Sequence, residues 1–166
     1  MTDTLVEQAQ DRIGKALGRI PSGCAILTAR TATSRTGMLA SWVQQAGFDP
    51  PTLSVAVKKD RPIEMLIDAA GALVLNLLGE NPGPMFKHFG KGFAPEEDAF
   101  AGLDTRDVEG GVVIADQIAW LSAKVVGKHP AGDHWLYIAE VTNAEVDEAP
   151  DLKSPYVHLR KNGLTY

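Results

Sequence analysis

Apolar residues gather in six short runs along the chain, at residues 23–29, 37–43, 53–57, 72–78, 118–126 and 135–146. Each is apolar and β-prone, the pattern of a strand. Ahead of them, Leu5, Ala9, Ile13, Ala16 and Ile20 recur near helical spacing, and Thr4 precedes Glu7 by three residues as in a capping box. This predicts an amphipathic helix over residues 1–20. Three proline-led segments, 62–70, 84–89 and 95–101, predict short helices. Residues 104–111, rich in charge and ending in paired glycines, predict a loop. The strands do not alternate regularly with helices of 10–15 residues, so a doubly wound parallel sheet is disfavoured. The expected fold is mainly β, an antiparallel barrel with an N-terminal helix and short covering helices, in a single domain over residues 1–166.

One stretch departs from ordinary packing. Residues 36–57, TGMLASWVQQAGFDPPTLSVAV, read as two strands joined by a connection too long for a hairpin turn. Small residues stand at Ala40 and Ser41 where a core would take bulk, and Asp49, Pro50 and Pro51 make a stiff stop before Leu53, Val55 and Val57. The pattern suits backbone that a flat object approaches closely.

Composition narrows the classes. The chain has 166 residues, 45% hydrophobic and 22% charged, enough for one domain with a real core. A net charge of -5 argues against a general binder of nucleic acid or anionic membrane, so any site for an anion is local. The single Cys24 excludes an internal disulfide, and no signal pattern or apolar run near 20 residues is present, so a cytoplasmic protein is expected. No glycine-rich phosphate fingerprint occurs. His88, His129, His134 and His158 lack metal-ligand spacing, so no metal site is expected. Cys24, inside an apolar run, reads as a small buried hydrophobe in preference to a nucleophile.

Two local basic clusters stand out in this acidic chain: Lys58, Lys59 and Arg61, and Lys87, His88 and Lys91 around Phe89. Each reads as a solvated charged turn or as an anion site, and the first leads into a helix whose N-terminal N–H groups favour a phosphate. In AGDHWLYIAEV, Gly132 and Asp133 turn the chain into a strand headed by His134, which reads as a turn residue or as a group at a barrel rim that positions a ring. Trp135 reads as core.

Taken in order and spacing, IPSGCAILTAR, GMLASWVQQAGFDPPTLSVAV, KKDRPIEML, ALVLNLL, FKHFGKGF and GDHWLYIAEV resemble the flavin reductase family, and most of all the C-terminal flavin reductase module of cyanobacterial flavodiiron proteins. The resemblance runs from about Leu17 to the end. It implies an FMN-binding split β-barrel, a homodimer, that takes hydride from NADH or NADPH; FAD in place of FMN is compatible. It further implies that Met38, Leu39, Ala40, Ser41 and Trp42 run along the flavin ring, that Lys58, Lys59 and Arg61 hold the phosphate, that Lys87, His88 and Phe89 close over it, and that His134, the candidate catalytic residue, stands near the nicotinamide or the flavin. Many members carry Ser or Thr where this chain has Leu39, so their hydroxyl contacts are not expected here. The alternative reading is an FMN-bound electron-transfer module serving a flavodiiron or oxygenase partner. These residues carry no flavodoxin-like or diiron segment, so oxygen or nitric oxide reduction is not expected of them.

Overall fold

The computed structural model describes residues 3–115, 117–147 and 154–164. In chain order the elements are α1 (Asp3–Leu17), β1 (Ala25–Arg30), β2 (Arg35–Ala40), β3 (Val43–Phe48), β4 (Pro51–Lys58), α2 (Pro62–Ala70), β5 (Ala72–Leu77) and α3 (Gly83–Phe89), then β6 (Thr105–Val108), β7 (Gly111–Ile114), β8 (Ala119–Ala131) and β9 (His134–Val146).

Seven strands form one antiparallel sheet in the order β2-β1-β5-β8-β9-β4-β3. Its first and last strands are neighbours in sequence, separated only by Ser41 and Trp42. Laid flat, six interstrand spacings would set them about 29 Å apart, whereas the three peptide steps from Ala40 to Val43 reach about 11 Å. The sheet therefore curls until its edges meet, and it is the chain that bridges the seam there. That seam is the split of the barrel, and it falls inside the stretch with the small residues.

Inward residues of the strands, Leu27, Val55, Val57, Leu73, Leu75 and Tyr137, fill the barrel, and Ile63 and Ile67 of α2 pack into it. Lys128 on the β8–β9 arm ties α2 down, its Nζ donating to Glu64 at 2.9 Å and to Asp68 at 2.6 Å. A second apolar cluster, with Cys24, Ile26, Leu78, Phe89, Phe100 and Ile114, lies between β1, α3 and β7.

Several expectations need correcting. The connection in residues 36–57 is not a long link: residues 43–48 form β3, which turns tightly at Asp49 and Pro50 and pairs Phe48 with Pro51 of β4. As an edge strand with Gln44, Gln45 and Ala46 exposed, it carries no apolar alternation to reveal it. Residues 104–111 are not a loop but most of the β6–β7 hairpin. Residues 95–101 form turns in place of a helix, because the carboxylates of Glu97 and Asp98 accept from the N–H groups of Ala94 (2.7 Å) and Phe100 (3.0 Å).

The first helix also differs. It ends at Leu17, and Thr4 falls within its first turn, its side chain outside the described residues. Its apolar residues Leu5, Ile13 and Leu17, with Ile20 just beyond, are exposed; what it buries is Gly14 and, after its end, Gly18. Against those glycines lies the C-terminal segment 155–163.

Candidate functional site

A cavity of about 270 Å³ opens at the split. Met38, Leu39 and Ala40 of β2 and the corner Ser41–Trp42 form one wall, and Phe86, Phe89 and Gly90 of α3 and its end form a second. Arg61 stands at the start of α2, in extended conformation and making no side-chain cap to the helix. Its guanidinium lies beside Gly92, 3.5 Å from where a Cβ there would stand, and the left-handed backbone at that residue (φ 73°) favours glycine.

The third wall comes from the C-terminal segment, which runs as a strap over the mouth. Tyr156 N–H donates to Leu78 O (2.9 Å), His158 N–H to Ser22 O (2.7 Å), Arg160 N–H to Gly18 O (3.3 Å) and Gly163 N–H to Gly14 O (2.6 Å). This places His158 and Arg160 in the wall. Phe86 packs edge-on against Tyr156, ring centres 5.2 Å apart. His158 Nδ1 is buried and makes no hydrogen bond among the described residues. Burial, then the neighbouring Arg160 charge, holds its imidazole below the usual histidine range.

A neighbouring cleft of about 560 Å³ shares Trp42 and Arg160 with the cavity and adds Lys58, Asp133 and His134. The Arg160 guanidinium lies 4.8 Å from the Trp42 ring centre, and the His134 ring 4.6 Å from the same indole. Turn residue Asp133 sits 2.7 Å from His134 Nδ1 through Oδ1, and that hydrogen bond keeps its carboxyl below the usual range. His134 is 5% exposed, so its ring is held by the indole on one side and the carboxylate on another.

Met38, Leu39, Ala40, Ser41, Trp42, Arg61 and Phe89 thus share one cavity, and Lys58 and His134 share the adjoining cleft. Lys59, Lys87 and His88 line neither. Lys59 Nζ donates to Gly132 O at 2.6 Å and lies 4.9 Å from the Trp135 ring centre. Successive residues at a strand end point to opposite sides, which parts Lys58 from Lys59. In α3 the three-residue spacing puts Phe86 and Phe89 on one face and leaves Lys87 exposed. His88 Nε2 lies 2.9 Å from Ala99 O, and its ring packs on Phe89 and Phe93. Cys24 is buried, and burial pushes its thiol up to about 11, which leaves it without thiolate character near neutrality.

Sequence reasoning missed Phe86, Gly92, His158 and Arg160. Phe86 was findable as the residue three before Phe89. Tyr156, His158 and Arg160 alternate at period two, a strand-like signal in a tail whose backbone partners Gly14, Gly18, Ser22 and Leu78 are far from it in sequence.

Residues 17–163 match the family model described as flavin reductase like domain. The chain is 43% identical over 154 residues to diflavin flavoprotein A 1 of Synechocystis sp., covering 92% of this chain and 26% of that protein. It is 40% identical over 162 residues to putative diflavin flavoprotein A 5 of Nostoc sp., covering 96% and 28%. It therefore spans about a quarter of the length of these curated relatives. Among solved structures, the NADH:FAD oxidoreductase SgcE6 of Streptomyces globisporus C-1027 superposes with a TM-score of 0.80 at 22% identity, over 95% of this chain and 90% of that one. The styrene monooxygenase flavin reductase of Pseudomonas putida S12 gives 0.73 at 23%, over 87% and 90%. At such identities the two structures establish the shared fold. With the family model spanning nearly all of the barrel and the strap, the chain belongs to the flavin reductase like domain family.

Proposed function

We propose that this domain is an NAD(P)H-dependent FMN reductase, with flavin in the cavity and nicotinamide in the adjoining cleft. The observation that carries the reading is the pairing of an apolar slot, cationic at both ends, with a second cleft across Trp42 and Arg160. The residues fit a flavin. Met38, Leu39, Ala40, Phe86 and Phe89 offer a dry surface to a planar ring, while Ser41, His158 and Arg160 offer polar groups to its heteroatom edge. His158 Nδ1, buried with no hydrogen bond among the described residues, is the kind of atom a ligand would satisfy. Arg61 would hold the phosphate as a charge-assisted partner. When bound, the flavin supplies the redox chemistry, accepting hydride at N5 from nicotinamide C4. The protein's part is to orient the two rings, exclude water between them and balance charge. His134, fixed by Asp133 and Trp42, would position the nicotinamide. The structure of SgcE6 in complex with NAD and FAD fragments supports two such ligands on this fold, and leaves FAD compatible here.

Anaerobic stopped-flow mixing of the FMN-loaded protein with NADH and with NADPH tests the reading. Bleaching of the flavin band near about 450 nm within seconds supports it, and an unchanged spectrum overturns it. In that case the second reading stands, an electron-transfer module for a redox partner, favoured by relatives that are about four times as long.

A further inference from the structure

The two ends of the cavity can be told apart. At one, Met38, Arg61 and Gly92 also border a small recess beside Phe93. At the other, Trp42 and Arg160 also border the His134 cleft. Both ends carry an arginine, and among the described residues no carboxylate lines the wall between them. A flavin whose phosphate rests on Arg61 therefore turns its ring toward the strap.

The strap at that end is built to stay in place. Its backbone is bonded at Leu78, Ser22, Gly18 and Gly14, and it lies so close to α1 that a side chain on Gly14 or Gly18 would collide with Asn162 or Arg160. Arg160 is laid against Trp42, and His158 Nδ1 is buried there with no hydrogen bond among the described residues. Polar atoms in that situation are rare, because leaving one unpaired is costly, and a bound group that satisfies it removes the cost.

We propose that His158 and Arg160 bind the flavin ring, His158 through a hydrogen bond from or to Nδ1 and Arg160 through its guanidinium at a ring carbonyl, so that the strap adds to Ser41 the polar recognition that the apolar side chains of β2 and α3 do not give. The proposal rests on the flavin reading above. Arg160, standing also in the His134 cleft, keeps a positive charge where the reduced ring gains negative charge.

Titrations of FMN and of riboflavin, followed by quenching of flavin fluorescence, test it on the parent and on His158→Leu, His158→Asn, Arg160→Gln, Arg160→Lys and Arg61→Ala. His158→Leu should weaken both flavins about 3- to 10-fold and Arg160→Gln about 10-fold or more, by equal factors for the two, because neither contact involves the phosphate. His158→Asn, whose amide sits near the Nδ1 position, should restore most of the affinity. Arg61→Ala should weaken FMN more than riboflavin. Thermal unfolding without flavin separates binding from folding; should the glutamine or leucine variant fail to fold, Arg160→Lys and His158→Ala carry the same comparison. Unchanged affinities in His158→Leu and Arg160→Gln overturn the proposal and leave the flavin reading standing. So does a loss confined to FMN, or a loss in His158→Asn as large as in His158→Leu. A parent that binds neither flavin overturns the flavin reading and this inference with it.

Discussion

At the scale of single residues, the site is governed by where a few polar atoms find partners. His134 is held on two sides, by the Asp133 carboxylate at 2.7 Å and the Trp42 indole at 4.6 Å. A residue that orients a reacting ring affects rate more than ground-state cofactor binding. His134→Ala should therefore slow flavin reduction by NAD(P)H by roughly 10- to 100-fold, about 1.4–2.7 kcal/mol of barrier, with FMN affinity nearly unchanged. Reduction at the parent rate would make His134 a turn residue only. His158 leads to a different measurement. Burial lowers its folded-state pKa beneath the unfolded value of about 6.5, so the unfolded chain takes up the proton first. Its contribution to stability is complete above pH about 6.5 and declines as the pH falls from there. Between pH 7.5 and 5.5 (values chosen about that pKa) the flavin-free parent should lose more in unfolding midpoint than His158→Asn does. Equal losses would show that the imidazole does not titrate in this way.

At the scale of elements, the β6–β7 hairpin is docked by two buried polar side chains of the barrel. Thr28 Oγ1 donates to Val112 O (2.8 Å) and accepts from Val112 N–H (2.9 Å). Asn76 Nδ2 donates to Val112 O (3.0 Å) and its Oδ1 accepts from Ile114 N–H (2.8 Å). Asn76→Ala strands Ile114 N–H in a dry setting and leaves Val112 O with the Thr28 hydroxyl alone, each lost hydrogen bond worth about 1–3 kcal/mol. The expected loss is about 3 kcal/mol, or roughly 6–12 °C in thermal midpoint for a chain of this size. A shift below about 2 °C would show that water replaces the amide. Gly111→Ala attacks the same junction, since a Cβ there would stand 2.8 Å from Thr28 Oγ1 and from Val74, and should cost about 1–3 kcal/mol.

For the whole molecule, the unusual feature among the described residues is a set of large apolar side chains left exposed on α1 and the strap. Leu5, Ile13 and Ile20 are 55%, 53% and 59% exposed, and Val157, Leu159 and Leu164 of the strap are also exposed. Exposed apolar side chains, where they gather, mark association surfaces. The homodimer expected from the family resemblance gives them a use, and light scattering should return twice the chain mass of 17.8 kDa. Ile13→Glu should shift the population toward the single chain. A parent mass of one chain at all concentrations would remove the dimer. No helix among the described residues is long and apolar enough to cross a membrane.

What the residues determined alone was whatever depends on short-range pattern. The strand runs at 72–78 and 53–57, the proline-led helices α2 and α3, and the small residues around Ala40 and Ser41 were legible because alternation, helix caps and side-chain size are local properties. Polar edge strands such as β3 were not, since a strand facing solvent has no apolar period to display. The β6–β7 hairpin was hidden for another reason: its place on the barrel is secured by Thr28 and Asn76, some 84 and 38 residues away from Val112 and Ile114. Tertiary structure also sorted the basic residues, sending Lys58 to one side and Lys59 to the other, turning Lys87 out, and bringing Arg160 from the far end of the chain onto Trp42. Closure of the barrel did this, because only when β2 and β3 meet at Ser41 and Trp42 does a strap laid along α1 come to border the same cavity.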